Sequence, residues 1–411
     1  MSNSFGGLLR VTTFGESHGR AVGVVLDGLP PGRRLDVAAV QRELDRRRPG
    51  TGDLVSARRE RDRVRILSGV FHGRTTGAPV AMLIANTDAR PADYAELRGL
   101  FRPGHGDWTW WAKYGIRDWR GGGRLSGRET AARVAAGAVA KQLLAERGVR
   151  VDGQVVAVAG IVARRRDAAV AERNPLRCGD ASAARRMATA IRRARAAGDS
   201  VGGVVEVVVR GAPAGWGDPV FDKLDARLGA ALLSIGAVKG LEFGDGFALA
   251  EMRGSAANDP LTPAGFASNH AGGILGGISN GAPIVVRLAV KPTSTIARPQ
   301  DTVDRAGRPA RIRGTGRHDP CIAPRIVPVA EAMVALVLAD AALRQDALRG
   351  PAVLGWNPCG PCDTCRPKAP GGRGTRNRGR PRETTSPTPI RRTSTDPRAA
   401  ASRGPAARPS S

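Results

Sequence analysis

The chain has 411 residues, 41% of them apolar and 25% charged, with a formal net charge of +27. These fractions suit a globular protein with a substantial core and exclude a chain too polar to fold. The charge points first to nucleic acid, but 58 of the 64 basic residues are Arg, 12 of the 64 lie after residue 350, and aromatics are 4%, too few for base-stacking platforms; Arg clusters serving a small anion explain it equally well.

The opening segment MSNSFGGLLRVTTFGESHGR carries no sustained apolar stretch, and no run approaches the length of a membrane span, so the expected location is the cytoplasm. Two isolated cysteines in the body, Cys178 and Cys321, fit a reducing compartment better than a disulfide framework. The stretch GESHG, residues 15–19, reads as G-x-S-x-G, the spacing of a serine hydrolase elbow. An elbow needs a strand before it and a helix after it. Here RAVGVVLDGLPPG follows, a β-branched run closed by a turn, so the expectation is a tight strand-to-strand connection with an exposed Ser17–His18 pair.

Further along, VAAVQRELDRRR (37–48) reads as a helix ending in Arg46, Arg47 and Arg48, which complement a helix C-terminus or serve as an anion clamp. RVRILSGVF and APVAMLIA follow as strands. The richest segment is FRPGHGDWTWWAKYGIRDWRGGGRLSGRET (101–130). Its three glycines, Arg124 and the S-x-x-E spacing from Ser126 to Glu129 suggest a capping box and an anion receptor at the start of the helix GRETAARVAAGAVAKQLLAER. A Walker A loop is absent, and the glycine spacing fails the dinucleotide fingerprint.

The strand GQVVAVAGIVA, the helix ASAARRMATAIRRARAA, the strand GGVVEVVVRG, the helix FDKLDARLGAALLSIGAV (221–238), the strand APIVVRLAV and the helix VPVAEAMVALVLADAALRQDALR (327–349) complete the body. Helices and strands mix without regular βαβ spacing, which argues against a doubly wound nucleotide fold. Residues 351–411 are rich in Pro, Arg, Ser, Thr and Gly, and are expected to be a disordered tail. Its CGPCDTC, with Cys359, Cys362 and Cys365, lacks both a βαβ setting and a fourth metal ligand, so no metal is expected.

Of five histidines, His18, His105, His270 and His318 lie in Gly-rich turns rather than on apolar faces. Placed beside Arg and Asp, they suit acid–base work on an anion near neutral pH. In GRHDP, Arg317 and Asp319 flank the histidine, and SNHAGGILGGISNGAP and KPTSTI add glycines and hydroxyls fit to line a planar ligand or phosphate. The residues alone imply an enzyme for a multiply anionic small molecule, but not its reaction.

With RVTTFGESHG, DRRRPG, KYG-RD-RGGGR, RET-RVAAGA, SNHAGGILGGIS, KPTS-I and GRHDPC in this order, the sequence over roughly 5–345 resembles chorismate synthase. The resemblance implies an α+β fold, a β-α-β sandwich, with catalytic domain 1–350 ahead of the tail 351–411, assembled as a homotetramer. It implies the elimination of phosphate from 5-enolpyruvylshikimate 3-phosphate to give chorismate, dependent on reduced FMN, with NADPH as a candidate reductant.

By the same resemblance, His18 would protonate the leaving phosphate, with Ser17 beside it as a substrate contact. His105 would stabilise or protonate the reduced flavin, and Asp319 would help remove the ring proton. Arg47, Arg128 and Arg317 would hold substrate. Arg124, Leu125, Ser126, Gly236, Ala237, Gly276, Lys291, Pro292, Thr293, Ser294, Thr295 and Arg317 would hold the flavin.

The chain departs from the family pattern at several places. Asp53 stands where Arg is usual, with Arg58 or Arg59 as compensation; Leu125 and Gly127 replace Ser and Ala, Gly106 replaces Ala, Gly236 replaces Asn, and Trp108, Trp110 and Trp111 enlarge an aromatic stretch. These motivate an alternative, a divergent flavin-binding paralogue with altered or lost activity. A nucleic-acid binder using the tail and a serine hydrolase at Ser17 rank behind.

Overall fold

Period-2 alternation of apolar residues builds two antiparallel sheets in the computed structural model, which describes residues 3–48, 54–55, 60–314 and 318–349. The first comprises β1 (Ser4–Phe5), β2 (Arg10–Phe14), β3 (Ala21–Asp27), β4 (Val64–Ile66) and β5 (Val80–Ala85), in the order β1-β2-β3-β5-β4. Val22, Val24 and Leu26 pair with Ile84, Met82 and Val80, and all six are fully buried on one face. A one-residue slip would turn that whole face to water, so the pattern fixes the register.

The second sheet comprises β6 (Arg150–Val158), β7 (Ile161–Val162), β8 (Gly203–Arg210), β9 (Val238–Phe243) and β10 (Ile284–Val290), in the order β9-β10-β8-β6-β7. Val205, Val207 and Val209 oppose Leu288, Val286 and Ile284, again all buried. Between the sheets lie α1 (Val37–Arg47), α3 (Thr130–Ala145) and α6 (Ala323–Arg349), α3 packing on the first sheet and on α6, and α6 packing on the second. The result is the β-α-β sandwich that the resemblance implies. Where α3 crosses α6, a Cβ on Gly137 would lie 2.3 Å from Ala332 Cβ, so only glycine permits this approach.

The remaining helices of two turns or more are α2 (Asp107–Tyr114), α4 (Ala181–Ala196) and α5 (Leu224–Leu233), with short helical segments at Ala168–Glu172 and Gly254–Ala257. The helix expected over 221–238 is shorter: α5 ends at Leu233, Ala237 turns left-handed at φ +74°, and β9 begins at Val238 to pair with β10. The tryptophan-rich segment, expected only as an aromatic stretch, forms α2. The Ser126–Glu129 capping box is half made. Ser126 accepts from the Arg128 N–H, while Glu129 turns away to accept from the Thr13 hydroxyl and Arg133.

The expectation that no run approaches a membrane span also needs correction. Ala323–Leu348 in α6 has the length and composition, with a mean hydropathy of 2.0, but 94% of that window is buried within the protein, as a core helix requires. The described residues all belong to one compact unit, Met1–Val353. Asp53, Arg58, Arg59, Arg317 and the tail 351–411 with its CGPCDTC lie outside the described residues.

Candidate active site

A cleft of about 500 Å³ gathers the chemistry-bearing loops. His18 comes from the β2–β3 turn, Arg47 from the end of α1, His105 from the loop before α2, and Arg124 to Thr130 from the run leading into α3. Gly236 and Ala237 enter from the α5–β9 turn, Lys291 to Thr295 from beyond β10, and His318, Asp319 and Arg325 from the start of α6. Among the described residues, eight Arg or Lys and five Asp or Glu line it, leaving a positive excess.

The glycine run explains how two histidines converge. Gly121, Gly122 and Gly123 all have positive φ, at +63°, +95° and +52°. A Cβ on Gly121 would lie 2.2 Å from the His18 ring, and one on Gly122 3.1 Å from His105. The run therefore makes room for the imidazoles on the cleft wall, a role the anion-receptor reading did not foresee. It also corrects the expected exposed Ser17–His18 pair. Ser17 is buried beneath the run, its N–H bonded to Gly123 O, and it does not line the cleft. Its hydroxyl sits 3.0 Å from His18 Nδ1 and 3.5 Å from Arg120 O, so it orients the imidazole from behind. Tyr94 meets the other side of that ring edge-on, at 5.1 Å between centroids.

Arg47 and Arg128, widely separated in sequence, are joined by a residue that sequence reasoning missed. Asp62, fully buried, accepts from Arg47 Nη2 at 2.5 Å and from Arg128 Nη1. Burial alone would raise its carboxyl, but the two guanidiniums outweigh that and hold it down at about 2. Burial pulls Arg47 down to about 10 against the attraction of Asp62, and its Nε has no hydrogen-bond partner among the described residues. Of the three arginines ending α1, only Arg47 lines the cleft. Arg46 turns away into a separate ion network and Arg48 is exposed.

Arg124 is anchored on β2 and its turn through Gly15 O and Thr13. Lys291 donates to Gly104 O at 2.6 Å and to Ser294 Oγ at 2.8 Å, tying the KPTST run to the histidine loop. Burial, with Lys239 nearby, lowers its pKa. Asp319 pairs with Arg325, a second missed residue, at 2.5 Å. Burial pushes His318 down to about 4 and His105 below its usual value, so both stand neutral at pH 7.

Some expected residues are not brought in. Gly276 lies in the turn of a hairpin, Ile274–Leu275 with Ile278–Ser279, and does not line the cleft. His270 pairs instead with Asp245 at 2.6 Å outside it. Leu125 and Ser126 line the cleft, as does Gly236, beside which a Cβ would meet open space. Thr293 Oγ1 is buried without a hydrogen-bond partner among the described residues, a polar group waiting for a ligand.

A positive cleft with neutral His105 and His318, a carboxylate and glycine-lined backbone is that of an enzyme for anionic ligands. Comparison with known proteins gives the family. The chorismate synthase family model matches residues 9–343. Chorismate synthase of Syntrophobacter fumaroxidans is 60% identical over 338 residues, 82% of this chain and 96% of the relative. That of Syntrophus aciditrophicus is 56% identical over 349 residues, 84% of this chain and 99% of the relative. A solved structure described as a crystal structure of chorismate synthase superposes with a TM-score of 0.66 at 33% identity, covering 83% of this chain and 93% of that one. The chain belongs to the chorismate synthase family, and it is a lyase.

Proposed function

We propose that the enzyme eliminates phosphate and a ring proton, anti-1,4, from 5-enolpyruvylshikimate 3-phosphate to give chorismate in the shikimate pathway. The observation that carries this reading is the convergence of His18, His105 and Asp319 with Arg47 and Arg128 in a single positive cleft. The cleft also fits reduced FMN: Thr293 Oγ1 lacks a partner among the described residues, and Gly236 borders open space. Arg124, Leu125, Ser126, Gly236, Ala237 and Lys291 to Thr295 would hold it. Bound reduced FMN supplies electron density transiently, so that phosphate leaves without net redox change.

The chain's own residues do the rest. Arg47 and Arg128, bridged by Asp62, attract the phosphate and carboxylates through charge-assisted hydrogen bonds. His18, steadied by Ser17, delivers a proton to the departing phosphate. Asp319, oriented by Arg325, receives the ring proton. Ser17 acts through His18 rather than as a nucleophile, which disfavours the hydrolase reading. Identities of 55–60% to relatives called chorismate synthase leave the divergent paralogue unfavoured.

The catalytic domain is taken as residues 1–350, a homotetramer with a cytoplasmic location, and NADPH as the reductant of its flavin. The test is anaerobic turnover of 5-enolpyruvylshikimate 3-phosphate with chemically reduced FMN, following chorismate absorbance and phosphate together. Equal yields are expected; flavin binding with neither product would overturn the reaction while leaving the cofactor site.

A further inference from the structure

Behind His105 lies a carboxylate that the reaction above does not use. Asp107, the first residue of α2, is 2% exposed, yet three cationic or ionisable side chains converge on it. Arg102 grips it with two bonds, Nε to Oδ2 at 2.7 Å and Nη2 to Oδ1 at 2.8 Å, and adds its backbone N–H at 3.2 Å. Arg117 Nη1 stands 3.2 Å from Oδ1, while its Nη2 is fastened to the carbonyls of Leu97 and Leu100. His105 Nδ1 lies 3.0 Å from the same Oδ1. A buried carboxylate with two arginine partners is already charge-compensated, so stability does not call for the histidine.

We propose that Asp107 is the positioning residue for His105: locked by Arg102 and Arg117, it fixes the imidazole proton on Nδ1 and leaves Nε2 toward the cleft as an acceptor. The competing partner for Nδ1 is Arg102 Nη2, at 3.3 Å. If Nδ1 were unprotonated, its lone pair would face the carboxylate oxygen at 3.0 Å, and the two would repel. A proton between them turns that repulsion into a charge-assisted hydrogen bond. Nε2 then lies on the side of Gly122, whose missing Cβ leaves the ring accessible.

The charged groups around His105 agree with a neutral, oriented ring. Arg102 from its own loop and Lys291 from beyond β10 oppose a second positive charge, and neutral His318 adds none. Asp107 alone favours a proton arriving at Nε2, and would stabilise the imidazolium so formed.

The inference rests on the reading that His105 works in the cleft, and the experiment separates the two. The tautomer of His105 is read in the flavin-free protein by nitrogen-15 NMR of labelled histidine, assigned with His105→Gln. Nε2 is expected at the unprotonated position; a proton on Nε2 at pH 7.5 would overturn the inference whatever the reaction. In Asp107→Asn, the neutral amide no longer holds the Nδ1 proton by a charge-assisted bond, so the preference for that tautomer should be lost, with kcat falling about 10²–10⁴-fold and KM within about threefold. Unchanged kcat in Asp107→Asn overturns the inference if His105→Gln is itself slow. Unchanged kcat in His105→Gln overturns instead the role of His105, and the wild-type spectrum still decides the tautomer.

Discussion

Arg46 and Arg47 are neighbours in α1, yet they lead into opposite kinds of charge cluster. Arg46 enters a closed network centred on Glu331, which is 1% exposed and accepts from Arg46 at 2.6 Å, from Lys141 at 2.5 Å and from the Gly153 N–H at 2.9 Å. Glu43 and Glu172 complete it from the rim. Every strong donor there meets an acceptor, and the network clamps α1, α3 and α6 together. Arg47 instead enters the cleft, where Asp62 is shared with Arg128, Arg47 Nε finds no partner among the described residues, and cations outnumber carboxylates on the walls. A saturated cluster stores its electrostatics in the fold, whereas an unsaturated one keeps them for a ligand.

That contrast is broken most directly at its chemical end. His18→Ala should lower kcat about 10²–10⁴-fold, the range for loss of a positioned proton donor. The thermal midpoint should hardly move, since the ring lies on the cleft wall with open space on one side. A midpoint lowered as far as by a change in the Glu331 network would mean that His18 is structural.

At the other end, Glu331→Gln should cost about 1.5–3 kcal/mol, because Arg46 and Lys141 lose their most buried charged acceptor and keep only Glu43 and Glu172 at the rim. Urea unfolding measures that loss, and turnover per folded molecule should stay within a few-fold. If activity is lost without stability, the two clusters are not separable as argued.

Acid titration sharpens the same contrast. Burial would raise the Glu331 carboxyl, but Lys141 and Arg46 prevail and hold it at about 2, below its ordinary 4.5. Its contribution to stability is therefore complete above pH 4.5 and is lost as pH falls toward 2. His318, held at about 4 against an ordinary 6.5, acts earlier: the unfolded chain takes up a proton that the native one refuses, so stability declines as pH falls from 6.5 to 4. Stability curves from pH 8 to 2 should show two stages, and His318→Gln should shrink the first, leaving the part that the likewise depressed His105 contributes.

Much of this was legible from residues alone. Alternation located the main strands, and the short spacing around GESHG gave a strand-to-strand turn, which is what separates Arg10–Phe14 from Ala21–Asp27. Partnership across the fold was not legible. Nothing in RERDRV says that Asp62 will bridge Arg47 and Arg128, because neither guanidinium is near it in sequence. Nor does RPGHGD reveal that its aspartate turns back on its histidine and two arginines. The capping box is only half made because Thr13 and Arg133 take the Glu129 carboxylate, a tertiary contact overriding a local preference.

The smallest effect is expected in the tail, where net positive charge per residue exceeds that of the rest of the chain. Residues 351–411 hold 12 basic and 3 acidic side chains, so they supply a third of the net charge of +27. They lie beyond the residues 9–343 matched by the family. A chain ending at Gly350 should therefore keep kcat and KM within about twofold, while any salt-sensitive retention on immobilised nucleic acid should fall, since each lost phosphate contact reduces the slope of affinity against salt. If the shortened protein loses turnover instead, the tail takes part in the cleft or in its assembly. If it keeps its salt-sensitive retention, the positive excess of the cleft and not the tail is what polyanions find.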